Sequence, residues 1–232
     1  MMRMGLMVLW MVGAGALAGP ALADGSTTLV IGDSLSAAYG MPQEDGWVAR
    51  LAERMAGGDD GARVVNASIS GDTTVGGVSR LPALLATHTP AAVVIFLGGN
   101  DGLRGIAPAV TQKNLEAMIE AVRKAGAAAA LIPVRLPPNY GEAYINAFEG
   151  MQRQICATTG VPCLDFPWQT VAVEPRYLQE DGLHPNAAAQ GVILEALWPG
   201  LCRWRAWSAC AAEPMPTADA PAEAAPAAGA AP

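Results

Sequence analysis

The 232-residue chain contains only two histidines, His88 and His184, so any general-base chemistry has few places to sit. Basic residues are scarce too. Fourteen Lys and Arg face 21 Asp and Glu, for a formal charge of −7, and no basic cluster offsets the balance. Nucleic acid and anionic membrane surfaces both repel such a chain, which makes it a poor candidate to bind either, and no nucleic-acid partner is expected. Cysteine is limited to Cys156, Cys163, Cys202 and Cys210, and none lies in C-x-x-C spacing, which ranks a zinc site low. Past the first two dozen residues, no apolar run is long enough to span a bilayer.

The one long apolar run opens the chain. "MMRMGLMVLWMVGAGALAGPALADG" carries Arg3 and then no charge until Asp24. Gly19-Pro20 breaks a helix, and Ala21-Leu22-Ala23 has the small-x-small form of a cleavage site. Residues 1–23 therefore read as a removed signal peptide, and the protein as exported, either periplasmic or secreted. No cysteine near the cut offers a lipid attachment point, and no stable membrane insertion is expected after cleavage. Loss of Arg3 takes the charge from −7 to −8. Export permits disulfides. Four cysteines allow three pairings, of which the local one, Cys156–Cys163 with Cys202–Cys210, is preferred over zinc. Residues 211–232 are almost wholly Ala, Pro and acid, a composition that predicts a disordered tail. Residues 24–210 remain as a single domain.

Within that domain short apolar runs alternate with amphipathic stretches. "TTLVIG" (27–32), "ARVVNA" (62–67), "AAVVIFLG" (91–98), "AAALIPV" (128–134) and "VPCLDF" (161–166) read as buried strands. Between them the period becomes helical: Trp47, Leu51 and Met55; Val78, Leu81 and Leu85; Leu115, Met118, Ile119 and Val122. Gly126 suits a helix end, and a last helix is expected from Asn186 to about Leu201. This alternation predicts an α/β fold with a five-stranded parallel sheet and helices on both faces. In such sheets the ligand crevice lies beyond the carboxyl ends of the strands.

The polar motifs fall there. Asp33-Ser34 follows the first run, "SISGDTT" (68–74) the second and "GGNDGLRG" (98–105) the third, while "LQEDGLHPN" (178–186) precedes the last helix. By itself Ser34 reads as a turn or capping serine. A serine becomes a nucleophile when a base takes its proton. His88 in "ATHTP" reads as a helix-end histidine. Asp181 lies three residues before His184, about one helical turn, a spacing that brings a carboxylate to the imidazole. The ordinary alternative for "HPN" is a capping turn, and the two roles are compatible. Gly71 offers an unobstructed backbone N–H and Asn100 a side-chain amide behind Gly98-Gly99, the donors a tetrahedral oxyanion needs. Asp33, Asp72 and Asp101 read as turn and loop supports, since none has a fixed local relation to a histidine. The G-x-S-x-G elbow is absent, because Leu35-Ser36 follows Ser34.

"GDSLS", Gly71 in "NASISGDT", Asn100 in "LGGNDGLRG" and "DGLHP" together resemble the four sequence blocks of the SGNH (GDSL) hydrolases. "VVNASISGDTT", "RLPALL", "RLPPNYG" and "DGLHPN" are similar to the bacterial periplasmic subgroup of multifunctional acyl-CoA thioesterases, lysophospholipases and arylesterases. The resemblance spans roughly Leu29 to Leu201. It implies a flavodoxin-like three-layer sandwich, with Ser34 as nucleophile, His184 as base and Asp181 as its orienter. The Ser34 and Gly71 amides and the Asn100 side chain would form the oxyanion hole. It further implies that "TTVGG" (73–77) matches a mobile segment beside the acyl site, contributing Thr73, Thr74 and Val75. "RLPPNYG" would wall the cleft through Pro138, Asn139 and Tyr140. No metal or cofactor is implied, and the expected partner of this monomer is a small acyl ester or lipid-like substrate. The rival expectations are a short-chain deacetylase of the same fold and a catalytically silent secreted binding protein.

Overall fold

The computed structural model describes residues 27–58 and 61–211. The signal segment expected over residues 1–23 and all but the first residue of the expected tail lie outside the described residues.

Four parallel strands form the sheet: β1 (Thr27–Gly32), β2 (Arg63–Asn66), β3 (Ala92–Phe96) and β4 (Ala128–Leu131), in the order β2-β1-β3-β4. Every residue of β1 and β3 is buried, as continuous apolar runs in the middle of a doubly covered parallel sheet require. Leu29 sits opposite Val65 on one side and Val93 on the other.

The expected fifth strand is a correction. Of residues 161–166 only an isolated bridge remains, Leu131 to Cys163, with Leu131 N–H donating to the Pro162 carbonyl (3.0 Å) and Leu164 N–H to the Leu131 carbonyl (2.8 Å). Pro133 and Pro162 have no amide proton to give a longer ladder, so β4 ends at Leu131 and the partner segment stays irregular.

The chain steps outward from β1 to β2 through α1 (Trp47–Ala56), then back past β1 to β3 through α2 (Thr74–His88). Right-handed crossovers in opposite directions put these helices on opposite faces. α4 (Pro108–Lys124) and α5 (Glu142–Thr159) pack in a row with α2, whereas α7 (Ala187–Arg205) packs on α1. The short helices are α3 (Gly99–Leu103), α6 (Trp168–Val171) and α8 (Ser208–Ala211). Leu115, Met118, Ile119 and Val122 are buried on one face of α4. Beyond α4, Gly126 (φ 80°) closes a Schellman pair, Gly126 N–H to Arg123 O (3.0 Å) and Ala127 N–H to Val122 O (3.1 Å). The buried Gln190 of α7 accepts from Trp47 N–H (3.0 Å), and Trp47 Nε1–H donates to Leu35 O (3.1 Å), joining two helices to the loop after β1.

The cysteines pair locally. Cys156–Cys163 ties α5 to the bridge segment, and Cys202–Cys210 ties α7 to α8. α8 sits against Gly58 in the loop between α1 and β2, at the amino edge of the sheet.

Candidate active site

The order of chain travel reverses between β1 and β3, and the crevice opens at their carboxyl ends. Ser34 follows β1 and Asn100 follows β3. The turn carrying Ser34 is held by the Asp33 carbonyl, which accepts from the amides of Ser36 (3.1 Å) and Ala37 (3.0 Å).

His184 comes from the loop before α7. A Leu178–Pro185 bridge closes that loop, and Gln179 N–H donates to the His184 carbonyl (2.8 Å). Asn186 then caps α7 by accepting from Ala188 and Ala189 N–H. The capping turn and the placing of His184 are thus one structure. Gly182, at φ 65°, gives the reversal that folds Asp181 back on His184. Asp181 Oδ2 lies 2.6 Å from His184 Nδ1, and His184 Nε2 lies 2.9 Å from Ser34 Oγ. Asp181 Oδ1 also accepts the amides of Leu183 (2.9 Å) and His184 (3.0 Å). Those bonds, with the His184 backbone amide foremost and its ring next, hold the Asp181 carboxyl down at about 2. The Tyr39 ring lies against the His184 ring, centroids 4.5 Å apart. His88 ends α2 on the opposite edge of the sheet.

Asn100 Nδ2 donates to Asp33 Oδ2 (3.3 Å), and Asp33 Oδ1 accepts from Leu35 N–H (3.1 Å). Asp33 is only 2% exposed, and this burial raises its carboxyl to about 6 despite the bonds from Leu35 and Asn100 and the nearby His184. Gly71 adopts φ 77°, its carbonyl held by Arg104 Nη2 (2.9 Å). Among the described residues, the Ser34 and Gly71 amides have no protein acceptor.

Ser34, Asn100 and His184 line a cleft of about 650 Å³, whose walls also include Leu35, Leu103, Leu136, Pro138, Ile145 and Val173. The wall is fixed from behind: buried Gln152 of α5 accepts from Val134 N–H (2.7 Å) and donates to Val134 O (2.9 Å). Of the residues expected to bind substrate, Pro138 lines this cleft; Asn139 and Tyr140 do not, and the Tyr140 hydroxyl donates to Leu103 O (2.9 Å). Thr73, Thr74 and Val75 lie outside the cleft lining. Thr73 stands just before α2 without a side-chain capping bond, and "TVGG" forms the first turn, where Thr74 is buried and donates its amide (2.9 Å) and its hydroxyl to Asp101. Asp101, Asp72 and Asp33 all take loop-bracing bonds, Asp72 by accepting from Thr73 N–H and pairing with Arg80 (2.8 Å).

The sequence reading missed Trp168, Gln169, Ala172 and Val173, which also line the cleft. "WQTVAV" follows the fifth apolar run, so the rule applied to the other strands would have found it. Among the described residues, no three His, Cys, Asp or Glu side chains group as a metal site, and no helix is long and apolar enough to cross a membrane.

The sequence pattern of the GDSL-like Lipase/Acylhydrolase family matches residues 30–192. Esterase TesA of Pseudomonas aeruginosa is 50% identical over 179 residues, which cover 77% of this chain and 89% of that protein. Thioesterase 1/protease 1/lysophospholipase L1 of Escherichia coli (strain K12) is 43% identical over 173 residues, 75% of this chain and 82% of that one. The crystal structure of the psychrotrophic esterase EstA from Pseudoalteromonas sp., inhibited by monoethylphosphonate, superposes with a TM-score of 0.74 at 39% identity, covering 77% of this chain and 98% of that chain.

Proposed function

Because the chain belongs to the GDSL-like lipase/acylhydrolase family, we propose that it hydrolyses acyl esters and thioesters through an acyl-serine at Ser34. The observation that carries this reading is the run of contacts from Asp181 through His184 to Ser34, 2.6 Å and 2.9 Å long, with Ser34 and His184 lining an apolar cleft. His184 takes the Ser34 proton as the hydroxyl attacks the carbonyl carbon. Asp181 fixes the imidazole tautomer and stabilises the imidazolium. The amides of Ser34 and Gly71 and the Asn100 side chain receive the oxyanion. His184 then protonates the leaving group, and in the second half-reaction it activates water against the acyl-serine. None of these steps calls on a metal or organic cofactor.

Aryl esters, lysophospholipids and acyl thioesters make up the proposed substrate class. The volume of the cleft, about 650 Å³, and its apolar walls favour medium or long acyl chains over acetate. The names of the P. aeruginosa and E. coli relatives support esters and thioesters. We place the mature enzyme outside the cytoplasm, as a periplasmic or secreted monomer freed of residues 1–23, where lysophospholipids and other envelope esters are at hand and CoA esters are not.

The test uses protein starting at Asp24 and p-nitrophenyl esters from acetate to palmitate, beside Ser34→Ala. Turnover that depends on Ser34 and persists at medium and long chains is expected, with an ethylphosphonate probe labelling only the native serine. A folded Ser34→Ala variant that keeps most of its turnover sinks the assignment. Turnover confined to acetate favours the deacetylase, and none at all in a folded protein favours the silent binding protein.

A further inference from the structure

Asn100 is assigned an oxyanion role above, yet a primary amide has two faces. Its NH₂ end attracts an oxyanion and its carbonyl end repels one. Which end faces the crevice is set by the neighbouring group. Among the described residues, the Asn100 side chain has one hydrogen-bond partner, the Asp33 carboxylate, with Nδ2 3.3 Å from Oδ2. Asp33 is itself pinned, since Oδ1 holds the Leu35 amide and its backbone carbonyl holds the turn that presents Ser34. Asp33 is buried, whereas Asn100 is half-buried and lines the cleft, so the fixed protein acceptor for its amide is the Asp33 carboxylate.

We infer that Asp33 is a positioning residue of the oxyanion hole: its ionised carboxylate selects the orientation in which Asn100 turns Nδ2, rather than Oδ1, toward the reacting carbonyl. This inference rests on the proposed function of Asn100. A carboxylate accepts only, so the amide must offer it N–H. A proton on Asp33 Oδ2 turns that oxygen into a donor, and the amide then offers its carbonyl. The same carbonyl faces the developing negative charge. Oxyanion binding is thereby tied to the ionisation of a residue that never touches the substrate oxygen.

The charged groups about Asp33 are few. His184 approaches from the loop before α7 and favours the carboxylate; Asp72 from the loop after β2 opposes it. Arg80 on α2 is engaged with Asp72 (2.8 Å) and with the Gly32 carbonyl (3.4 Å). Burial dominates, and protonation of Asp33 falls near pH 6. Productive hydrolysis therefore needs two groups free of protons on the acid side, the His184 base and Asp33.

Asp33→Asn keeps the shape and the Leu35 bond but allows a donor to face Asn100. Its kcat is expected to fall by roughly 10²–10³, about as far as in Asn100→Ala, with KM little changed. The double variant D33N/N100A is expected to be no slower than N100A, because Asp33 acts through Asn100. The wild-type plot of log kcat/KM against pH should steepen beyond one proton per pH unit below about pH 6. In N100A, where the amide is gone, it should keep a slope of one. That comparison needs no Asp33 variant and holds if D33N does not fold. Losses in D33N and N100A that multiply, or equal slopes in wild type and N100A, overturn the positioning role while leaving the oxyanion assignment standing. An N100A enzyme with unimpaired kcat overturns the oxyanion assignment itself.

Discussion

Asp181 and His184 are three residues apart, and their pairing was legible because it is local. The contact from His184 to Ser34 spans 150 positions and was not; only the resemblance to a family linked them beforehand. Residue types were readable because acyl chemistry accepts few of them, whereas Asp33 looked like a turn support because nothing in a sequence marks a carboxylate as buried. Asp181 makes three bonds at once, two to amides and one to the imidazole. Asp181→Asn keeps an acceptor for the amides but sets an NH₂ group against Nδ1, which forces the wrong tautomer. A loss of kcat of roughly 10²–10⁴ is expected, with circular dichroism unchanged. Steady-state rates with one chromogenic ester measure it.

At the scale of elements, the strand-and-helix alternation gave the sheet and the crevice, and proline decided where it overreached. Pro133 and Pro162 reduce the fifth strand to one bridge, a result visible only once two prolines are seen to face the same ladder. In "TTVGG", which the resemblance matched to a mobile segment, Gly77 serves close packing. A methyl there would come within 3.0 Å of Met118 Cε and Sδ, besides meeting Leu97. Gly77→Ala is expected to destabilise by about 1–3 kcal/mol in urea titration, whatever it does to turnover. Asp101 anchors the same helix start, accepting from the Thr74 amide and hydroxyl and from Thr111 Oγ1 (3.3 Å), all buried. Asp101→Ala leaves those donors unsatisfied, a loss on the order of 3 kcal/mol.

For the molecule as a whole, the buried Asp33 makes stability depend on pH. Its carboxyl moves from an ordinary value of 3.8 to about 6 on folding, so the folded state binds the proton more tightly. Stability from this group is present below 3.8 and is lost as pH rises through about 6, by about 3 kcal/mol at pH 7. Asp181 has the opposite sign. Its lowered value stabilises above 3.8 and that contribution fades as pH falls toward 2, to a degree limited by its exposure to solvent. If D33N folds, the stability of the variant relative to wild type should be most favourable at pH 7 and decline steadily toward pH 4. Denaturant titrations across that range measure the difference, and a pH-independent gap would count against a charged, buried Asp33.

Thr27 begins β1, one of the two inner strands, at the amino edge of the sheet, and α8 lies against Gly58 at that same edge, stapled by Cys202–Cys210. Ser34 and its cleft open at the other edge. Positions 27 and 211 thus leave the fold on the side away from the chemistry. A bead, a reporter domain or a display scaffold joined at either position would sit behind the enzyme like a handle, with the mouth of the cleft pointing outward and unobstructed.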